Sequence, residues 1–122
     1  MTIREAITRA DAIEPNAFTE EEKVRWLAYL DGDLLLETIL AHEYDGEMPN
    51  TNYSADDLSQ ELLAPYPYDE MYPYYLRMRV NEANDEMGKY NNAASLFNPI
   101  YGDYIRRYHR EHMPLGNNFK FR

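Results

Sequence analysis

The chain has 122 residues, with 22 acidic against 12 basic side chains, a formal charge of -10 and no cysteine. That length suits about one domain with a real core, and the lack of cysteine excludes disulfides, thiol chemistry and cysteine-based zinc or iron-sulfur sites. No segment approaches the roughly 18 apolar residues of a membrane span, and the opening MTIREAITRADA lacks the apolar run of a secretory signal, so the expectation is a soluble chain, intracellular when made, with no membrane partner.

Thr2 followed by Glu5 forms a capping box, and Ile3, Ala6, Ile7, Ala10 and Ile13 recur at helical spacing. A first helix is predicted over 3–13, stopped by Pro15. Thr19 with Glu22 is a second capping box, and Glu20 and Glu21 suit the positive end of the helix dipole. The run VRWLAYLDGDLLLETILAHEY then places Val24, Leu27, Leu30, Leu34 and Ala41 on one stripe, with Trp26 at its edge. A second helix is predicted over 19–43, with Gly32 between two aspartates as its weak point.

DGEMPNTNY, residues 45–53, has the composition of a loop, and Ser54 with Asp57 can cap a short helical turn over 54–62. The stretch ELLAPYPYDEMYPYYL, residues 61–76, holds five of the twelve tyrosines and three of the seven prolines. Prolines suit the approach and first turn of a helix, and Asp69 and Glu70 suit its start electrostatically. Pro73 is tolerable only if the helix begins near 69–72, where its missing N–H is an orphan in any case.

Leu76, Val80, Ala83, Met87, Tyr90, Ala94, Phe97, Tyr101, Tyr104 and Tyr108 follow at alternating spacings of four and three. An unbroken heptad stripe predicts one long helix over about 69–112, on the order of 65 Å if straight. Pro99 predicts a kink near Phe97 to Pro99; a full break at Gly88 is the alternative, which preserved register disfavours. The predicted fold class is all-α: a small helical bundle in one domain, two shorter helices packed on one long, kinked C-terminal helix. The tail 113–122, in which Phe119 and Phe121 alternate with basic residues, reads as an extended arm, either a frayed end or a strand donated to a neighbour, and the two phenylalanines favour the second.

Charge is unevenly placed: residues 1–60 carry fourteen acids against four bases, residues 61–122 eight against eight. Two solvated helix faces explain this, and so does a heterologous contact between the acidic part of one copy and the basic end of the next. A basic footprint this small beside an acidic remainder argues against sequence-specific nucleic-acid binding.

Candidate chemistry is sparse. His109 and His112 in HREH fail the spacing and order of the zinc-protease pattern and fit a basic cluster near a helix C-terminus. Asp31 and Asp33 around Gly32 resemble a calcium loop only faintly, because the other ligand positions are leucine-rich. Tyr68, Asp69 and Tyr72 lack a nucleophile, metal or oxyanion site beside them, and there is no phosphate loop or nucleophile elbow. No catalytic residue, cofactor or metal is assigned, and the expectation is a protein that is not an enzyme. The candidate subunit or partner interface is aromatic: Tyr66, Tyr68, Tyr72, Tyr74, Tyr75, Tyr101, Tyr104, Tyr108, Phe119 and Phe121.

The segments TIREAI, EEEKVRWL, LLAPYPYDEMY, GKYNNAASLFN and HMP, in this order, resemble small helical proteins of the structural-gene clusters of tailed bacteriophages and prophages, similar to head-tail connector or adaptor proteins. The likeness covers nearly the whole chain and departs at Pro99, where alanine would be expected. It implies a virion component assembling as a ring, commonly of twelve copies, between the portal protein and a tail-completion protein. The long helix would pack between subunits and the tail would reach a neighbour, with passing contact to packaged DNA. The implied location is the bacterial cytoplasm during assembly and then the capsid vertex or neck. The alternative from another class is a small intracellular adaptor or regulator binding a host protein through a tyrosine-rich surface.

Overall fold

α1 (Ile3–Ile13) starts where the capping box places it. The Thr2 hydroxyl accepts from the Glu5 N–H at 3.1 Å and the Glu5 carboxylate takes the Thr2 N–H at 2.8 Å, which holds the Glu5 carboxyl below its usual range. The protein, a computed structural model, is described over residues 1–42 and 46–112. Its other helices are α2 (Glu20–Glu37), α3 (Met71–Ala83) and α4 (Met87–Glu111), so the fold is all-α, with no strand among the described residues.

Two further donors at the start of α1 go to a loop. The Ile3 N–H reaches the Gln60 carbonyl at 3.0 Å, the Arg4 N–H reaches the Leu58 carbonyl at 2.9 Å, and Leu62 donates back to the Met1 carbonyl at 3.0 Å. The short helical turn expected over 54–62 is a pair of successive turns that do not grow into a helix, Asp57 N–H to Ser54 and Gln60 N–H to Asp57, each at 2.9 Å. The Leu58 carbonyl and Leu62 N–H that a helix would pair with each other are both spent on the first residues of the chain.

α2 passes through Gly32 without interruption, its N-terminus capped by the Thr19 hydroxyl. It buries Val24, Leu27, Leu30 and Leu34 as the stripe predicts. The helix ends at Glu37, short of 43: the Thr38 hydroxyl and N–H both turn onto the Leu34 carbonyl, and Ile39–Ala41 tighten to a 3-10 turn. Position 43 lies outside the described residues.

The long helix over 69–112 is corrected to a helical hairpin. A 3-10 turn at Tyr68–Glu70 leads into α3, so that Pro73 falls in the first turn, as its missing N–H requires. The break lies neither at Gly88 nor at Pro99. Asp85 adopts a left-handed φ of 56°, its N–H bonds the Glu82 carbonyl at 3.2 Å, and the Glu86 N–H returns to the Asn81 carbonyl at 2.9 Å. This is a Schellman cap with aspartate in the position glycine usually takes.

α4 then runs antiparallel to α3, as ring contacts of Tyr75 with Phe97 at 5.5 Å and of Tyr68 with Tyr104 at 5.3 Å require. Pro99 stands inside α4 without ending it. Both Pro99 and Ser95 are exposed, so water can serve the carbonyl that loses its donor there.

One core joins all four helices, with Ile3, Ala6, Ile7 and Ala10 from α1, Leu27, Leu30 and Leu34 from α2, Leu76, Met78 and Val80 from α3, and Ala93 and Phe97 from α4. Charge ties flank it. Buried Lys23 reaches Asp11 at 2.9 Å between α2 and α1, and Arg77 reaches Glu14 at 3.3 Å between α3 and the end of α1.

The cap predicts a pair of opposite effects. Asp85→Gly should stabilise the chain by about 0.5–1 kcal/mol and Asp85→Val should destabilise it by about 1–2 kcal/mol, both read as shifts of the urea midpoint at unchanged slope.

Candidate interaction surfaces and the buried polar network

The inward side of α2 carries a file of polar residues among its leucines: Lys23, Asp31, Thr38 and, beyond the helix, His42 are all buried. Asp31 is fully enclosed. Its Oδ1 accepts from the Tyr72 hydroxyl at 2.6 Å, and its Oδ2 accepts from the Tyr53 hydroxyl at 2.6 Å and from the Leu63 N–H at 3.0 Å. The Tyr72 hydroxyl in turn accepts from the Ala64 N–H at 2.8 Å.

Burial pushes the Asp31 carboxyl up, against the pull of its donors Tyr53, Tyr72 and Leu63. Both phenols are pushed up by their own burial and by the neighbouring carboxylate, so they stay protonated donors. Chemically this is a structural tether: both carboxylate oxygens withdrawn from water accept hydrogen bonds, three in all, and no exposed atom of Asp31 is left to meet a substrate.

The aromatic residues expected to form an interface are mostly consumed inside the chain. Tyr72 is fully buried in the tether, which corrects its assignment to a surface. Tyr75 packs on Phe97 and its hydroxyl accepts from Arg79 at 2.9 Å. Tyr101 stacks on Phe97 at 5.3 Å. Tyr68 sits between Tyr104 and the Arg107 guanidinium, 5.5 Å from its ring, and Tyr74 has Arg77 at 5.9 Å. Tyr108 is buried between His42 at 5.3 Å and a parallel His112 ring at 3.7 Å.

Burial raises the Tyr75 and Tyr101 phenols and pushes Tyr104 up to about 12. Of the eight that are described, only Tyr66 is mostly exposed, at 83%, beside a cis peptide bond to Pro67. Phe119 and Phe121 lie outside the described residues.

The heptad stripe is thus the seam of the hairpin, with Leu76 and Val80 on one side and Phe97 and Tyr108 on the other. Its two members at the turn, Ala83 and Met87, are exposed.

All three histidines of the chain meet at one end. His42 Nδ1 lies 2.6 Å from the Thr38 carbonyl and so carries a proton, which leaves its Nε2 facing His109 Nδ1 at 2.9 Å with room for one proton between them. His112 Nδ1 donates to the Tyr108 carbonyl at 2.9 Å. Among the described residues no three His, Asp or Glu side chains are placed to hold a metal ion.

Sequence reasoning missed Asp31 and Tyr53 as partners, though a signal existed. Asp31 falls four residues after Leu27 and three before Leu34, on the inward stripe, and an acid at a core position demands donors. Acidic groups crowd the first turn of α2 and arginines the last turns of α4. Glu20, Glu21 and Glu22 stand at the start of α2, while His42, just past the other end of α2, touches the last turns of α4, where Arg106, Arg107 and Arg110 lie. No protein-family model, curated protein or solved structure matches this chain.

The tether makes two predictions. Asp31→Ala should cost about 3–5 kcal/mol, because it strands Tyr53, Tyr72 and Leu63 as buried donors, whereas Tyr53→Phe should cost about 1 kcal/mol; urea denaturation at pH 7 measures both. The raised Asp31 carboxyl contributes stability that is greatest below the ordinary carboxylate value near about 4 and declines as pH rises through its folded value. Wild type should therefore gain stability relative to Asp31→Asn as the pH is lowered from 7 toward 4, and a pH-independent difference between the two would contradict the raised value.

Proposed function

We propose that this chain is a structural subunit of a phage particle, a head-tail connector that assembles as a ring between the portal and the tail. The observation that carries the proposal is the separation of the acidic first turn of α2 from the arginines in the last turns of α4. The acidic first turn at Glu20–Glu22 begins α2, whereas Arg106, paired with Asp103, and Arg110 lie in the last turns of α4, which meet His42 just past the other end of α2. Acidic and basic poles about one helix length apart, ~27 Å for α2, suit a head-to-tail contact between copies. Such a heterologous contact closes into a ring when its rotation permits.

The ordered likeness of TIREAI, EEEKVRWL, LLAPYPYDEMY and GKYNNAASLFN to connector proteins supports the same role. The work done is mechanical: extending the portal channel, retaining packaged DNA and presenting a docking surface to the next tail component. An acidic wall would let DNA slide without sticking. Burial of Tyr72 and Tyr108, and the packing of Tyr75, Tyr101 and Tyr104 along the hairpin seam, speak against a regulator that binds through a tyrosine-rich surface. No helix among the described residues is long and apolar enough to cross a membrane.

Purified chain should form ring-sized particles in mass photometry and electron micrographs and should bind portal particles. A chain that stays strictly monomeric at high concentration and ignores the portal would refute the role. Arg106→Glu with Arg110→Glu should weaken self-association by about tenfold or more, most strongly at low salt, where charged poles are least screened.

A further inference from the structure

Two imidazole nitrogens face each other where the last turn of α4 meets the residues just past α2. His42 caps the 3-10 turn Ile39–Ala41 and is 2% exposed, whereas His109 is an exposed residue of α4. Though 67 positions apart in the chain, they bring Nε2 of His42 to 2.9 Å from Nδ1 of His109. The ring centroids are 4.5 Å apart and the planes tilted by 57°. A straight N–H···N contact of that length would hold the centroids farther apart, so at least one lone pair points off the line between the nitrogens.

The two rings are held as metal ligands are held. His42 Nδ1 donates to the Thr38 carbonyl at 2.6 Å, which fixes the tautomer and leaves the lone pair on Nε2, the usual support of a metal-binding histidine. In the neutral pair His109 needs only to move its proton from Nδ1 to Nε2, so an ion can take both facing nitrogens with no net loss of protons. Nitrogens ~2.05 Å from one ion and at right angles to each other stand ~2.9 Å apart, whereas tetrahedral ligands stand ~3.3 Å apart. The observed spacing is the right-angled one.

The carbonyl-rich last turn of α4 favours a cation here. Of the arginines nearby, Arg106 is engaged by Asp103 and Arg107 by Glu111, while Arg110, on the same turn as His109, opposes an added positive charge. His112 stands apart from the pair: its Nδ1 donates to the Tyr108 carbonyl and its ring lies 6.1 Å from that of His42. Among the described residues no third His, Asp or Glu is placed to complete a set of three, so the chain supplies two ligands.

We propose that His42 Nε2 and His109 Nδ1 form a two-imidazole chelate for a divalent transition-metal ion that accepts right-angled ligands, Cu2+ or Ni2+ in preference to tetrahedral Zn2+, with solvent completing the coordination. Imidazole ligands without carboxylate or thiolate select such ions over Mg2+ and Ca2+. A bound ion would pin the end of α4 to the residues beyond α2. The inference is independent of the connector role, which concerns the charged poles.

The test adds CuCl2 or NiCl2 to the full chain, purified without a histidine tag, and reads binding by calorimetry and copper coordination by electron paramagnetic resonance. Expected are one ion per chain, nitrogen hyperfine structure from two imidazoles, and a rise in Tm with Ni2+. Because His42 is buried, the variant is made on the exposed side. His109→Gln should weaken binding by about tenfold or more and abolish the two-nitrogen signal while far-UV circular dichroism stays unchanged; His112→Gln should bind as the wild type does. No saturable binding, a signal from one nitrogen, or equal affinity in His109→Gln would each mean an adventitious ion only and overturn the proposal, as would an equal loss in His112→Gln. The resonance signal is read on the unaltered chain, so the outcome does not hang on how a variant folds. Ring formation is scored separately on metal-free protein, so loss of one result does not imply loss of the other.

Discussion

A carboxylate enclosed in an apolar core must recover from protein donors what it has lost from water, and at Asp31 that requirement organises the rest of the chain. Its donors come from Tyr53, Leu63 and Tyr72, two on the irregular segment between α2 and α3 and one on α3 itself. None of them can be supplied by α2. The carboxyl is therefore satisfied only when the loop and the hairpin are both seated, and a half-assembled network in this low-dielectric setting costs more than it returns. Since the Tyr72 hydroxyl also serves the Ala64 N–H, the same contact fixes the backbone just after Leu58, Gln60 and Leu62, which pair with the start of the chain. A stretch with little regular structure of its own is thereby held in one conformation.

The second constraint is the way the hairpin seam is filled. Tyrosine suits a seam that is buried on one side and wet on the other, since the ring packs while the hydroxyl reaches a partner or solvent. Tyr75, Phe97 and Tyr101 form one run of ring contacts, and Tyr68, Tyr104 and Tyr108 form another. The second run ends among the three histidines, where the last turn of α4 meets the residues just beyond α2. Basic and imidazole groups gather there because both helices present carbonyl-rich C-terminal ends, which favour positive charge.

Once the core has closed, the groups left outside are sorted by kind. The polar tether and most aromatic side chains are internal, whereas the charged poles and Tyr29 and Leu36 of α2 face water. This separation keeps the groups that hold the fold apart from those that face water. It also moves the surface of interest from the tyrosine cluster to the charged poles.

Local chemistry by itself determined the all-helical class, the capped starts of α1 and α2, the inward stripe of α2 and the entry to α3 at the prolines. Each depends on residues within one or two turns, where hydrogen-bond and dipole rules act without reference to the rest of the chain. The heptad over 76–108 was legible as an apolar stripe but not as a shape. A seam folded on itself preserves the same spacing as a continuous helix, and the left-handed cap at Asp85 is carried by a residue that only tolerates that conformation. The short turn over 54–62 does not extend into a helix because carbonyls within it accept from the start of α1, more than fifty residues away in the sequence. The meeting of Asp31 with Tyr53 and Tyr72, and of His42 with His109, was decided only by tertiary structure. A buried polar group announces in the sequence that it needs a partner, but which distant donor arrives is settled by packing.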